Sequence, residues 1–206
     1  MKKYILKIST LLVSMMVPCL VMADLDTYRI DNTHSFANWT IRHVASKTSG
    51  TFSDVTGKLM IDSINLAKSS VMAKINVLSI SSSHAKRDEN IKKKEYLDAE
   101  NFNQMTFVST KVTVSSSSAS AATEGVLTGN FTMHGVTKEI SFPFKVLGFG
   151  SDPWGGYRVG LEAHTLIKAS DYGFGWASKA NAPIGDDIEV TLLIEGVKQP
   201  TEIVIK

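Results

Sequence analysis

Apolar and polar residues alternate along most of the chain, with the period of two that is typical of strands with one buried face. One side of residues 140–146 carries Ile140, Phe142, Phe144 and Val146. Four further stretches alternate in the same way: Val71, Ala73, Ile75 and Val77; Val108, Val112 and Val114; Tyr157, Val159, Leu161, Ala163 and Ile167; Ile188, Val190, Leu192 and Ile194. Together with less regular runs near 34–46, 51–62 and 124–133, the pattern predicts about eight strands.

The connections between these strands favour antiparallel neighbours in one domain. His134-Gly135 lies between two strand-like runs, and a two-residue turn that ends in glycine suits a tight hairpin. Residues 115–122 are rich in serine and alanine and are interpreted as a flexible loop. No repeat and no linker rich in proline or glycine divides the chain, so residues 24–206 are predicted to form a single domain.

One segment has the composition of a helix. Residues 86–100 are rich in charge and in helix formers, with Ile91 and Leu97 as sparse apolar contacts. A shorter turn is predicted at Ser170–Gly173. The fold class is therefore all-β, and eight antiparallel strands suit either a sandwich or a barrel. Pro143 inside a strand favours an edge or a bulge at that point.

The first 23 residues have the features of a signal peptide. Three lysines precede an apolar stretch that runs from Ile8 to Met22, and Ala23 ends a plausible cleavage site before Asp24. A membrane anchor is the weaker interpretation, because the stretch is shorter than the roughly 20 residues that a spanning helix needs and Pro18 interrupts it. We therefore expect export to the periplasm, or secretion.

Removal of this segment changes the composition of the remaining 183 residues. Cys19 is the one cysteine, so the exported chain has neither a thiol nor a disulfide, and an ordinary hydrophobic core must stabilise it. The segment also carries three lysines and no acid, which leaves 19 basic against 20 acidic residues. That balance argues against nucleic acid as a partner. Outward charged residues such as Arg158 are typical of a solvated face.

Motifs for catalysis and metal binding are absent from the sequence. It contains no HExxH, no GxSxG and no closely spaced group of His, Asp and Glu with metal-ligand spacing. We therefore expect a protein that is not an enzyme, with no catalytic residue and no metal. A site assembled from distant residues stays open at this point.

Blocks of sequence along the whole exported chain resemble the YceI-like family of bacterial envelope proteins. The opening YRIDNTHSFANWTIRHV and GTFSDVTGKLMID are followed, in order, by Ser79-Ile80, Arg87-Asp88, MTFVST, GNFTMHGVTKEI, KASDYGFG and IGDDIEV. The resemblance implies an eight-stranded antiparallel lipocalin-like barrel with a helical segment near one end. It also implies a polyisoprenoid in the lumen, either an isoprenoid quinone or a polyprenyl compound with another polar head.

An apolar ligand of this kind would contact inward-facing residues of the strands. The set predicted to line the lumen is Trp39, Ile41, Ile75, Val77, Phe142, Phe144, Leu161 and Ile167, and the same pattern also suits plain core packing. For the head group we consider Arg87 and Asp88, at the start of the helical segment, and His43, which shares parity with Trp39 and Ile41. The sequence supports a structural role for these polar residues as strongly as it supports contact with a ligand.

Three residues, at two places in the chain, depart from the family pattern. Asn90 and Ile91 follow Arg87-Asp88 where a histidine and a leucine are usual, and this difference would alter a head contact there. Trp39 stands where a smaller aromatic residue is common, which would narrow the lumen.

The function expected from these observations is non-enzymatic binding, storage or transport of a long-chain isoprenoid lipid. No cofactor is expected other than the lipid itself, and transient membrane contact would accompany loading. The exported protein is expected to be a monomer or a homodimer. Two alternatives stay open: a quinone-binding accessory of a membrane cytochrome chain, and a secreted stress or surface protein whose barrel is filled by its own side chains.

Overall fold

A computed structural model describes residues 25–114, 123–177, 179 and 181–200. The predicted signal peptide and the predicted loop at 115–122 lie outside these residues. The strands are β1 Asp26–Ile30, β2 Phe36–His43, β3 Ser46–Phe52, β4 Val55–Ile61, β5 Ser70–Asn76, β6 Ile80–Ser81, β7 Gln104–Val114, β8 Glu124–Met133, β9 Val136–Ser151, β10 Tyr157–Lys168 and β11 Ile184–Lys198. The one α-helix of the described residues is α1, Ala85–Ile91, and 3-10 helices span Leu66–Lys68, Val77–Ser79 and Ala169–Tyr172.

These segments form a closed antiparallel barrel of eight strands, which confirms the predicted fold class. Three of the eight barrel strands are interrupted and consist of two labelled segments each. The first is made of β1 and β2, which both pair with β11. The second is made of β3 and β4, and the third of β5 and β6, because β6 pairs with β3 and β5 pairs with β4. Each later strand pairs with the next along the chain, from β7 to β11. Pairing of β1 with β11 closes the barrel.

The two ends of the barrel differ in the segments that cover them. One end, called here the α1 end, carries the 44–45 turn, the segment 82–103 with α1, the 134–135 turn and the connection from β10 to β11. The 134–135 turn forms the predicted hairpin, with Met133 opposite Val136. His134 and Gly135 have φ values of 52° and 74°, as the type I′ turn requires.

The predicted inward face is wrong for one residue of β7. The alternation predicts that Val108 faces inward with Val112, but Val108 is 45% exposed while Met105, Phe107 and Val112 are buried. The ladder between β7 and β8 shifts register between Ser109 and Lys111. A bulge adds one residue to one strand, and therefore exchanges the faces on either side of it.

The helical segment is shorter than predicted. The sequence predicts a helix over 86–100, whereas α1 ends at Ile91 and turns follow. A straight helix of that length would carry Leu97 and Ala99 past the barrel end, since each residue adds about 1.5 Å. The chain instead folds back, with Leu97 N–H donating to the Ile91 carbonyl at 3.0 Å, and Ala99 becomes buried.

Pro143 lies at the end of a ladder, in agreement with the predicted edge. Pairing between β9 and β10 runs from Ser151 only as far as Phe144, which lies opposite Ala163. The remaining parts of the two strands separate, and the 3-10 helix Ala169–Tyr172 lies beside this gap, where Lys138 Nζ lies 2.8 Å from the Asp171 carboxylate. The proline therefore costs no strand hydrogen bond on that side.

Val44→Gly is expected to raise the free energy of unfolding by about 0.5–1 kcal/mol. Val44 is the first residue of the 44–45 turn, its φ is 51°, and its side chain is 61% exposed, so glycine relieves backbone strain with little loss of packing. Urea denaturation of the two proteins measures the difference. Ala45→Gly is the matched control: Ala45 has no positive φ, and this change is expected to destabilise the turn. Equal effects of both substitutions would contradict the argument.

Candidate functional site

The inward faces of the strands enclose an apolar cavity of about 470 Å³. The cavity runs along the barrel from residues near β1 and β4 to the α1 end. Its apolar wall comes from nearly every strand: Ile30, Ala37, Trp39, Ile41, Phe52, Val55, Leu59, Ile61, Val71, Ala73, Ile75, Met105, Phe107, Val112, Leu127, Phe131, Met133, Ile140, Phe142, Phe144, Val146, Leu161, Ala163, Ile167, Ile184, Ile188, Val190, Leu192 and Ile194. The lumen is therefore a binding-sized space, not a filled core.

Most of the residues predicted from the sequence to contact a ligand line this cavity. They are Trp39, Ile41, His43, Ile75, Arg87, Phe142, Phe144, Leu161 and Ile167. Val77 does not line the cavity. Strand β5 ends at Asn76, and Val77 begins a 3-10 helix. The Val77 side chain is buried, with 2% of its surface exposed, but it is not part of the lumen wall. Asp88 is also absent from the wall.

Asp88 and Arg87 instead hold the start of α1 against the preceding loop. The Asp88 carboxylate accepts hydrogen bonds from the Ser82 N–H, at 2.8 Å, and from the Ser82 hydroxyl. Arg87 donates Nε to the Ser82 hydroxyl and Nη2 to the Ser82 carbonyl, at 2.7 and 2.6 Å. These bonds place Arg87 at the rim of the lumen and give Asp88 a structural role, while a contact of Asp88 with a ligand stays a prediction.

Polar residues of the lumen wall lie at both ends of the barrel: Ser69 and Ser70 border the end opposite α1, Glu162 and Thr165 lie on β10, and a larger group lies at the α1 end. His43 and Thr48 come from β2 and β3, while the segment 82–103 contributes Arg87, Asn90 and Tyr96. Asn90, one of the residues that the sequence comparison above marks as a departure from the family pattern, borders the lumen.

Several wall residues at the α1 end could not be identified from the sequence. Tyr96 and Leu97 come from the turns after α1, and Phe174 and Trp176 come from the connection between β10 and β11. The rings of Tyr96 and Trp176 pack with centroids 6.3 Å apart, and those of Phe174 and Trp176 with centroids 5.7 Å apart. Neither segment has a regular alternation of apolar and polar residues that would predict its structure. The KASDYGFG block, residues 168–175, is the one family-like sequence block near them.

A cluster of charged side chains lies outside the lumen, around Arg158. Its Nη1 lies 2.7 Å from the Asp31 carboxylate, its Nε lies 2.7 Å from that of Asp152, and Nη1 also donates to Glu195. His34 Nδ1 adds a contact of 3.0 Å to Asp31. The sequence placed Arg158 on an ordinary solvated face, but its side chain is only 23% exposed.

Three members of this cluster, Asp31, His34 and Glu195, lie close enough together to share one metal ion. The guanidinium of Arg158 already supplies a positive charge to both carboxylates, and a cation would have to displace it. Hydrogen bonding to Asp152, and then to Asp31, raises the pKa of Arg158. The cluster therefore fits a structural ion network better than a metal site.

The residues that the structure describes include no helix long and apolar enough to cross a membrane.

Comparisons with known proteins agree with this architecture. The family model of the YceI-like domain matches residues 28–196. A UPF0312 protein of Ectopseudomonas mendocina is 37% identical over 177 residues, which cover 84% of this chain and 87% of that relative. The crystal structure of Burkholderia cenocepacia BcnA superposes with a TM-score of 0.68 at 18% identity, covering 81% of this chain and 98% of BcnA. A polyisoprenoid binding domain from Saccharophagus degradans gives a TM-score of 0.61 at 15% identity, with 84% and 98% covered.

Proposed function

The chain belongs to the YceI-like domain family, and from this premise we propose that it binds a polyisoprenoid lipid in the barrel lumen without catalysing a reaction. The observation that carries the proposal is the continuous apolar wall of a cavity of about 470 Å³. The Saccharophagus degradans neighbour, a polyisoprenoid binding domain, supports the ligand class. A barrel filled by its own side chains, the alternative considered above, would have no such cavity.

The size of the lumen sets the length of tail that it encloses. An engineered apolar cavity of about 150 Å³ binds one benzene ring. On that scale, 470 Å³ encloses about 19 carbon atoms, or just under four isoprene units. A longer tail would have to extend past one end of the barrel.

Burial of such a tail contributes a free energy that equals or exceeds the estimated cost of association. At about 0.8 kcal/mol per buried carbon, about 19 carbons contribute roughly 15 kcal/mol before costs. Association costs an estimated 4–15 kcal/mol, so the tail supplies most of the affinity and the head group sets the remainder. The ligand is thus selected by being long, slender and apolar, which suits storage or transport of a membrane lipid in the aqueous periplasm.

Native mass spectrometry of the protein purified from its own periplasm tests this proposal, followed by organic extraction of any bound lipid. The expected result is one isoprenoid per barrel. Its head group would distinguish quinone handling from polyprenyl transport. Purification from the periplasm also tests export. An unloaded protein that takes up no added isoprenoid would contradict the proposal.

A further inference from the structure

The outer surface of the barrel is strongly basic where β1, β4, β5 and β7 lie side by side. One exposed basic residue lies on each of these strands: Arg29, Lys58, Lys74 and Lys111. The one acidic residue of the four strands, Asp26, has the inward parity of Tyr28, and its carboxylate lies 2.7 Å from Lys198 Nζ. The outer surface of these strands, called here the basic face, therefore carries four positive charges and no negative charge.

The register of the strands makes the basic face one contiguous patch. Arg29 of β1 lies opposite Lys58 of β4, and Lys58 lies opposite Met72 of β5. Met72 in turn lies opposite Val108 of β7. Neighbouring strands are about 4.8 Å apart, so this row of four residues spans about 14 Å of the outer surface. Lys74 follows Met72 by two residues on β5 and therefore faces the same way.

The positive charges of the basic face have no acidic partners. None of its four basic residues forms an ion pair within the described part of the chain. Exposed lysines on other strands do, since Lys47 Nζ lies 2.6 Å from the Glu189 carboxylate and Lys168 Nζ lies 2.6 Å from that of Asp187. Like charges directly opposite each other destabilise a sheet, and the pair formed by β1 and β4 is of that kind. The fold therefore keeps an unfavourable charge arrangement on this face.

Large apolar side chains are exposed among these charges. Met72 is 58% exposed, Val108 45% and Met60 39%. Lysine and arginine lay their apolar stems along such side chains and keep the charge at the tip. Apolar contact and attraction of basic residues to anionic lipids add together when a protein binds to a membrane surface.

We propose that the basic face docks on a membrane surface that contains anionic phospholipid. Charge complementarity identifies the partner, and the flexible methionine and lysine side chains suit a fluid surface better than a partner of fixed shape. The proposed function supplies the reason for docking, because a protein that takes an isoprenoid from a membrane has to reach that membrane. The inference rests on the proposed function for that reason alone, and its test needs no isoprenoid.

Flotation of the purified, lipid-free protein with vesicles tests the proposal. Vesicles of phosphatidylcholine alone are compared with vesicles of equal parts phosphatidylcholine and phosphatidylglycerol. Wild type is expected to bind the anionic vesicles only, and to be released as salt is added. Each basic residue near an anionic surface contributes about 5-fold in affinity, so Lys58→Gln/Lys74→Gln is expected to bind about 30-fold more weakly. Lys47→Gln/Lys168→Gln is the matched control: it removes the same charge from β3 and β10, and a change of less than about 3-fold is expected.

A fluorescent label reports which face touches the lipid. Cys19 is the one cysteine and lies in the predicted signal peptide, so Val108→Cys in the exported chain can carry an environment-sensitive dye. Leu166→Cys is the control, because Leu166 is 57% exposed and lies on β10. Anionic vesicles are expected to shift the emission of the dye to the blue at position 108 and to leave it unchanged at position 166.

Binding of wild type to neither vesicle, or equally to both, would overturn the proposal. Equal losses in the two double variants, or equal shifts at the two labelled positions, would overturn it as well. The vesicles contain no isoprenoid, so these results do not depend on the lumen. A protein that docks as expected but takes up no isoprenoid would support this inference and contradict the proposed function, and a protein that takes up isoprenoid but does not dock would do the reverse.

Discussion

Ala73→Phe is expected to abolish binding of a long isoprenoid while the barrel stays folded. Ala73 lies on β5 with its side chain on the lumen wall, opposite Gly57 on one neighbouring strand and Phe107 on the other. A phenyl ring takes up roughly 150 Å³ by the benzene comparison, about a third of the cavity. The tail then loses room for about six carbons, or roughly 5 kcal/mol, which is more than a thousandfold in Kd.

Met72→Phe provides the matched control on the same strand. Met72 is the adjacent residue, it faces outward, and it is 58% exposed, so a ring there leaves the lumen unchanged. Ala163→Phe places a ring on a different strand, β10, and is expected to act like Ala73→Phe. Circular dichroism and thermal denaturation report whether each variant folds, and titration with geranylgeranylacetone reports binding.

Two outcomes would contradict the lumen as the binding site. If Ala73→Phe and Ala163→Phe fold as wild type and bind the lipid unchanged, the ligand lies elsewhere. If Met72→Phe weakens binding as much as Ala73→Phe, the exposed outer face is involved instead. A variant that fails to fold is replaced by the smaller Leu at the same position, for which about half the loss is expected.

Much of the fold and part of the site could be predicted because a barrel strand repeats every two residues. The alternations at 140–146 and 188–194 identified wall residues correctly, since the strand pairing within each stretch has no register shift. The face of Val108 could not be predicted. The bulge that moves it to the outer surface is set by pairing with β8, and no glycine or proline within β7 itself marks it in the sequence.

The α1 end escaped prediction for a different reason. Helix propensity favoured one helix over 86–100, but burial of Ala99 and contact of Leu97 with the lumen required the chain to turn back. Trp176 belongs to a connection without a period, and only tertiary packing on Tyr96 places it at the lumen. Wall residues in such irregular segments leave no periodic signal, so sequence periodicity finds the strand part of the lumen wall before the part at the α1 end.

Arg158→Met is expected to lower the free energy of unfolding at neutral pH by about 3 kcal/mol, or the melting temperature by roughly 10 °C. The guanidinium joins the β1–β2 break, at Asp31, to β10 and β11, where the barrel closes. Its removal leaves three partly buried carboxylates, of Asp31, Asp152 and Glu195, facing one another without a cation. Their partial exposure keeps the expected loss at the lower end for buried ion pairs.

Two further variants separate charge from geometry. Arg158→Lys keeps the charge but not the planar group that bonds several carboxylates at once, and about half the loss is expected. Asp31→Asn in the Arg158→Met background removes one of the repelling charges and is expected to recover part of the stability. If Arg158→Met unfolds with the wild-type midpoint in urea, the cluster is an ordinary solvated surface, as the sequence suggested.

The contribution of Arg158 to stability is expected to decrease as the pH falls. Burial alone would raise the pKa of Asp31, but hydrogen bonds from Thr33, Arg158 and His34 outweigh burial and hold that pKa well below its usual range. Hydrogen bonding to Arg158 lowers the pKa of Asp152 as well. A lowered pKa in the folded state means that the stabilisation is complete above the unfolded-state pKa, near 3.9, and declines as the pH falls below it.

The stability difference between wild type and Arg158→Met should therefore be largest at neutral pH and shrink below about pH 4, where protonation of the carboxylates also relieves the repulsion in the variant. A difference that stays constant down to about pH 2 would show that Arg158 stabilises the barrel by packing and not by these ion pairs.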